Sequence, residues 1–182
     1  MSRRWLAVSS SSLLCLSLFL ASCAFRPTTT DVVRREYIVA RDGILQFSLP
    51  PGWFNASNDA NTPDETIWLV RNDYAATISV RIVNMDDEAR RILHRDGVLR
   101  LAELTMGLNA QVVITRRPEM IRVEGKEYCA YEALVAPEND AIRVALIDTG
   151  TKVYEVRALA SEKGSPAGVF TAQDEFLRGL RW

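Results

Sequence analysis

The stretch Gly43-Ile44-Leu45-Gln46-Phe47-Ser48-Leu49-Pro50-Pro51-Gly52-Trp53 decides the class of the fold. Leu45, Phe47 and Leu49 alternate with Gln46 and Ser48, a two-residue period that puts apolar side chains on one face of an extended strand and polar ones on the other. Pro50 and Pro51 offer no backbone N–H, so the strand is expected to stop there. Downstream, residues 55–65 (NASNDANTPDE) read as a polar loop. Residues 66–71 and 75–84 then read as a hairpin turning through Asn72 and Asp73. In its second strand Ala76, Ile78, Val80 and Ile82 face one way and Thr77, Ser79 and Arg81 the other, which predicts that one side of the sheet is covered.

At Asn84 the period changes. Asp86, Asp87 and Glu88 suit the positive end of a helix dipole, and a second start at Asp96 leads into Val98, Leu101, Ala102, Thr105 and Leu108 at helical spacing. This predicts a packing helix bent at Gly97 and closed by Asn109. Residues 111–115, 120–124, 127–136, 140–148 and 152–159 alternate as a strand run, with turns at Gly125-Lys126, Glu138-Asn139 and Gly150. Gly164-Ser165-Pro166 opens a final helix, with Ser165 as cap and Pro166 at the first helical position. Its apolar stripe is Val169, Phe170, Phe176, Leu177 and Leu180. Strands, helix, strand run, helix: the order predicts an α+β fold, an antiparallel β-sheet flanked by helices.

This pattern resembles the Mog1/PsbP-like family. The resemblance rests on Phe47-Ser48-Leu49-Pro50-Pro51-Gly52-Trp53, the hairpin and helix after it, a meander holding Gly125, Tyr128, Tyr131 and Tyr154, and the ending Phe176-Leu177-Arg178-Gly179-Leu180. It spans residues 37–182. The resemblance implies an α/β/α sandwich and roles in binding or assembly, in settings as different as GTPase regulation and a photosystem, and fold alone does not choose among them. The metal-contacting histidines of the photosystem relatives have no counterpart set, because His94 stands alone.

Ahead of this domain, residues 1–22 have the three parts of a secretory signal: Arg3 and Arg4, an apolar run from Leu13 to Leu20, then small residues. Leu20-Ala21-Ser22-Cys23 resembles the lipobox of bacterial lipoproteins, which implies diacylglyceryl transfer to Cys23 and cleavage before it. Two or three acyl chains on one cysteine make membrane residence effectively permanent. An uncleaved anchor is the competing reading, but the serines at positions 9–12, 17 and 22 leave the continuous apolar part too short to span a bilayer. Ser2-Arg3-Arg4-Trp5-Leu6 also resembles a twin-arginine export motif. Ala24, where aspartate commonly signals inner-membrane retention, points to the outer membrane, facing the periplasm. Residues 23–35 read as the lipidated N-terminus and a flexible tether, the last 12 of which extend about 40 Å at roughly 3.3 Å each. Residues 36–182 form the single folded domain.

Of the 182 residues 48% are hydrophobic and 25% charged, which is ordinary for a globular protein. A net charge of -1, from 22 basic and 23 acidic side chains, provides no positive field for nucleic acid. One histidine excludes centres built from several imidazoles. His94-Arg95-Asp96 lacks the other parts of a kinase loop, Gly164-Ser165-Pro166-Ala167-Gly168 lacks the order of a nucleophile elbow, and no P-loop is present. With Cys15 leaving and Cys23 acylated, Cys129 is a single thiol on the core face of a strand, read as packing rather than nucleophile.

The loop bearing Asn58, Asp59, Asn61, Asp64 and Glu65 lacks calcium-loop spacing and reads as solvated. Trp53 and Trp68 flank it, which makes it the first guess for a partner surface, although Trp53 suits the core end of its strand equally well. No catalytic, cofactor-binding or metal residue is assigned, and no enzymatic activity is expected. The expectation is a lipid-anchored envelope protein that binds or assembles with another protein. The alternative is a small-ligand or metal-binding module with its pocket between sheet and helix.

Overall fold

A computed structural model describes residues 37–58, 66–107, 112–161 and 164–182. Its strands are β1 (Ile38–Val39), β2 (Gln46–Phe47), β3 (Trp53–Asn55), β4 (Ile67–Arg71), β5 (Ala76–Ile82), β6 (Val112–Val123), β7 (Lys126–Val135), β8 (Asp140–Asp148) and β9 (Val153–Ala160). Helix α1 (Asp87–Gly107) follows β5, and helix α2 (Pro166–Gly179) follows β9. Strands β3 to β9 form one antiparallel sheet in the order β3-β4-β5-β9-β8-β7-β6, and β1 pairs with β2 as a small separate ribbon.

The two helices lie on opposite faces. Under α2 the sheet presents Ile78, Val80, Ala130, Ala145, Tyr154, Val156 and Ala158, all buried together with Val169, Phe176 and Leu177 of the helix. Alanine at three of these sites lets the helix backbone approach the strands closely. Under α1 the cluster is smaller: Leu101 and Ala102 of the helix meet Cys129, Tyr131, Val144, Leu146 and Val153. Neighbouring residues of β7 and β8 thus point into different cores, which is why both strands read as nearly continuous apolar runs.

The expected elements appear among the described residues with three differences, and the expected helix end at Leu108 and Asn109 lies outside those residues. Leu49 does not continue the apolar face of Leu45 and Phe47: those two are fully buried, while β2 ends at Phe47 and leaves Leu49 exposed. The two short strands expected over residues 111–115 and 120–124 are one strand, β6, whose pairing with β7 slips between Ile114 and Arg116 and again between Arg116 and Glu119. Pro118 is tolerated because β6 is a sheet edge, where a missing donor disrupts no ladder beyond β7. Ser165 occupies the cap position of α2 with Pro166 after it, but its side chain makes no capping hydrogen bond.

The bend at Gly97 is as expected. Its φ of 78° and ψ of 179° break α1 into two helical segments, a backbone state that favours glycine. His94-Arg95-Asp96 is the turn before that break, with Arg95 and Asp96 paired at 2.8 Å on the surface.

One carboxylate links the turn of the ribbon to the sheet. Asp42 accepts hydrogen bonds from the backbone N–H of Ile44 (2.9 Å) and Leu45 (3.2 Å) and from the Tyr154 hydroxyl (2.7 Å). Burial works against the ionised form, but these donors outweigh it and hold the Asp42 pKa below the usual 3.8. The Tyr154 phenol moves far up, through burial first and then its bond to Asp42. A folded-state carboxylate pKa below the unfolded one adds stability that is fully present above the unfolded value and is lost as pH falls through the folded value. Asp42→Asn is therefore expected to lower the Tm at neutral pH and to flatten its fall below about pH 4. Thermal melts across the acid range, with the native chain alongside, check this.

Candidate functional site

Helix α1 packs over part of its face of the sheet, and the part left uncovered among the described residues is the candidate site. Its geometry follows from strand register. Arg81, Glu155, Leu146 and Cys129 form one row across β5, β9, β8 and β7, beneath or beside α1. The next row is Ser79, Arg157, Val144 and Tyr131, and the row after it is Thr77, Leu159, Ile142, Ala133 and, on β6, Ile114. Val135 and Val112 pair in the row beyond. Each strand contributes alternate residues, so all these side chains share one face.

The last three rows floor a cleft of about 370 Å³, walled at one end by Met106 of α1. Its floor is divided. Its aliphatic part runs from Leu159 on β9 through Ile142 on β8 to Val135, Ile114 and Val112 on β7 and β6, each half-buried. Toward β5 and β9 it carries Thr77, Ser79 and Arg157.

Charge at the polar end is set by a buried carboxylate. Glu155, 5% exposed, receives Nε (3.1 Å) and Nη2 (3.1 Å) of Arg81 and also Nε of Arg157. One carboxylate between two guanidinium groups leaves a net charge of +1 there. Among the described residues the Nη atoms of Arg157 and the hydroxyls of Thr77 and Ser79 make no hydrogen bond, so these donors are free at the cleft. Tyr131 lies in the same environment: burial pushes its phenol pKa up, Glu155 adds to the shift, and Arg157 and Arg81 oppose it.

The opposite face has a second, smaller concavity of about 250 Å³ between β6, β7 and the flank of α2. Its charges are spent on each other: Arg116 pairs with Glu119 and Glu132, and Arg143 with Asp174. Gln173, fully buried on α2, donates from Nε2 to the carbonyls of Arg143 (3.2 Å) and Val156 (3.0 Å), fastening the helix to β8 and β9. Gln173 was outside the expected apolar stripe. The signal was its spacing, four residues after Val169 and three before Phe176.

The residues singled out from sequence are placed as follows. Leu20, Ala21, Ser22 and Cys23 lie outside the described residues, as do Asp59, Asn61, Asp64 and Glu65. Asn58 is exposed, Trp53 is buried in the core under α2, and Trp68 is half-buried on β4, so Trp53 serves packing. Cys129 is fully buried, and burial pushes its thiol pKa up to about 11, which keeps it protonated at neutral pH. Among the described residues no three His, Cys, Asp or Glu side chains converge as a metal site, and no helix is long and apolar enough to cross a membrane. The cleft itself was missed residue by residue, because its donors and its apolar floor come from five strands.

No protein-family model matches the chain, and no curated protein matches its sequence. Solved structures do match in shape. The Ran-binding protein Mog1p of Saccharomyces cerevisiae superposes with a TM-score of 0.55 at 12% identity, over 80% of this chain and 94% of that one. The cyanobacterial PsbP, CyanoP, of Synechocystis sp. PCC 6803 gives 0.51 at 13% identity, over 80% and 91%. LpqN, involved in cell envelope biogenesis of Mycobacterium tuberculosis, gives 0.51 at 11% identity, over 75% and 81%. Identity at this level carries the architecture and nothing finer, and on that evidence the chain has the Mog1/PsbP-like fold.

Proposed function

We propose that this chain is a lipid-anchored protein of the bacterial envelope, held through Cys23 and facing the periplasm from the outer membrane, that acts by binding a small molecule without chemistry. The observation that carries the binding reading is the cleft over the part of the sheet left uncovered among the described residues. It has the size of a small-molecule pocket, an apolar floor and a few free polar donors at one end. Among those donors Arg157 alone is paired with a carboxylate, and that carboxylate, Glu155, is itself held by two guanidinium groups, which supports binding over catalysis. The anchor reading is supported by Leu20-Ala21-Ser22-Cys23 after an apolar run, and the envelope setting by the likeness to LpqN.

A protein partner is the second reading. It is favoured by the likeness to Mog1p, a Ran-binding protein, and by the half-buried apolar floor of the same cleft, which also suits an inserted side chain.

One experiment separates the two. Protein is recovered from crosslinked envelopes and, in parallel, examined by native mass spectrometry. A bound small molecule at one per chain supports the first reading, and a stoichiometric protein partner supports the second. The anchor has its own test: Cys23→Ser is expected to abolish lipid labelling and release the protein from the membrane fraction. Unchanged membrane retention would overturn it.

A further inference from the structure

The cleft specifies more than size. We propose that its ligand is a single-chain amphiphile with an anionic head, a fatty acid, lying with its carboxylate at Arg157 and its chain over Leu159, Ile142 and Val135 toward β6. This rests on the small-molecule reading above and adds the chemical class.

Three features of the molecule carry it. The first is the division of the floor: Thr77 and Ser79 of β5 gather with Arg157 of β9 at one end, and an aliphatic track leads away from them, from Leu159 on β9 through Ile142 on β8 to Val135, Ile114 and Val112 on β7 and β6, so a matching ligand is polar at one end and apolar along the rest. The second is the charge count. Glu155 neutralises one of its two arginines, leaving the polar end cationic, and an anion removes that surplus where a neutral head does not. The third is the donor set. The Nη atoms of Arg157 form a planar fork matched to a carboxylate, and the hydroxyls of Ser79, its cross-strand neighbour, and of Thr77 are unclaimed beside it. Glu155 holds Arg157 from the far side through Nε, which orients the fork rather than occupying it.

The other concavities carry less. The one beside α2 leaves the buried Tyr128 hydroxyl and Arg143 Nε without a partner among the described residues, but its arginines face Glu119, Glu132, Asp174 and Glu124, so no cationic surplus is left there for an anion. The one around His94 has no buried polar group aimed into it.

The test uses the full-length chain carrying Cys23→Ser, so that no acyl chain of its own competes, and displacement of fluorescent dansyl-undecanoate as the readout. Laurate is expected to displace the probe at least about tenfold better than dodecanol, the worth of one charge-assisted hydrogen bond. Arg157→Gln is expected to bring the two competitors level while dodecanol is unchanged. Leu159→Trp, which fills the floor, is expected to abolish probe binding. Val135→Trp in the outer row serves if Leu159→Trp does not fold, with circular dichroism as the check on each. Equal displacement by laurate and dodecanol in the parent would overturn the anionic head while leaving the small-molecule reading standing. Probe binding untouched by both tryptophan variants would show that the cleft is not the site, and would overturn both.

Discussion

Replacing Phe176 by alanine is expected to remove about 3–5 kcal/mol of folding stability, the cost of truncating a fully buried aromatic side chain. Phe176 is completely buried on α2, and its ring meets that of Phe47 on β2 with centroids 5.9 Å apart. It is the point at which the C-terminal helix, the sheet and the β1–β2 ribbon share one core. Losing it opens a cavity bounded by three elements, so collapse of any one of them fills the space only in part. A domain of this size is stable by about 5–15 kcal/mol, so the variant stands close to the unfolding threshold. Urea denaturation is expected to give a much lower midpoint with an unchanged slope. Phe176→Leu, which retains most of the apolar volume, is expected to recover about half of the loss. A loss below about 1 kcal/mol for the alanine variant would mean that the helix does not pack here as described.

The second large effect is electrostatic. Asp174→Ala is expected to cost about 2–3 kcal/mol, at the upper end for hydrogen bonds to charged groups. Arg143 lies in the middle of β8 with only 9% of its side chain exposed, and Asp174 on α2 is its carboxylate partner. Removing the partner leaves a buried guanidinium with one weak hydrogen bond, from Nη1 to the Phe170 carbonyl at 3.4 Å, and the face of the Phe170 ring 5.8 Å away. The cost stays below that of a fully buried pair because Asp174 is 37% exposed and water reaches that side. The double variant Arg143→Met, Asp174→Ala is expected to be more stable than Asp174→Ala alone, since it removes the orphaned charge as well. Denaturant titration of the four forms closes the cycle. A double variant no better than the single one would show that the charge was never uncompensated.

Much of this architecture was legible before any coordinates. Strand β8 runs over the residues its alternation marked, Asp140–Asp148, and α1 bends at Gly97 because a glycine takes a φ of 78° cheaply. The misreadings have local causes. Alternation splits residues 111–124 into two strands, and only the position of the segment at the edge of the sheet, a property of the whole topology, lets it run on through Pro118 as one strand with two slips in register. Leu49 alternates correctly with Leu45 and Phe47, but alternation does not say where pairing stops, and β2 has a partner for only two residues. Arg157 and Ser79 are 78 positions apart in sequence and adjacent across β5 and β9, so nothing in either segment announces a shared cleft. Arg143 and Gln173 illustrate a different limit: each looks like an ordinary surface residue until α2 is laid over β8.

The long edge strand has a consequence for how copies of this molecule behave when crowded. Sheets stack edge to edge into fibrils when an exposed strand offers an unbroken, regular ladder. Over its 12 residues β6 offers two short stretches separated by two dislocations, with a missing donor at Pro118. A second edge approaching it finds no common repeat. Straightening that strand, by deleting Thr115 and replacing Pro118, would be the quickest way to turn this edge into a template for aggregation.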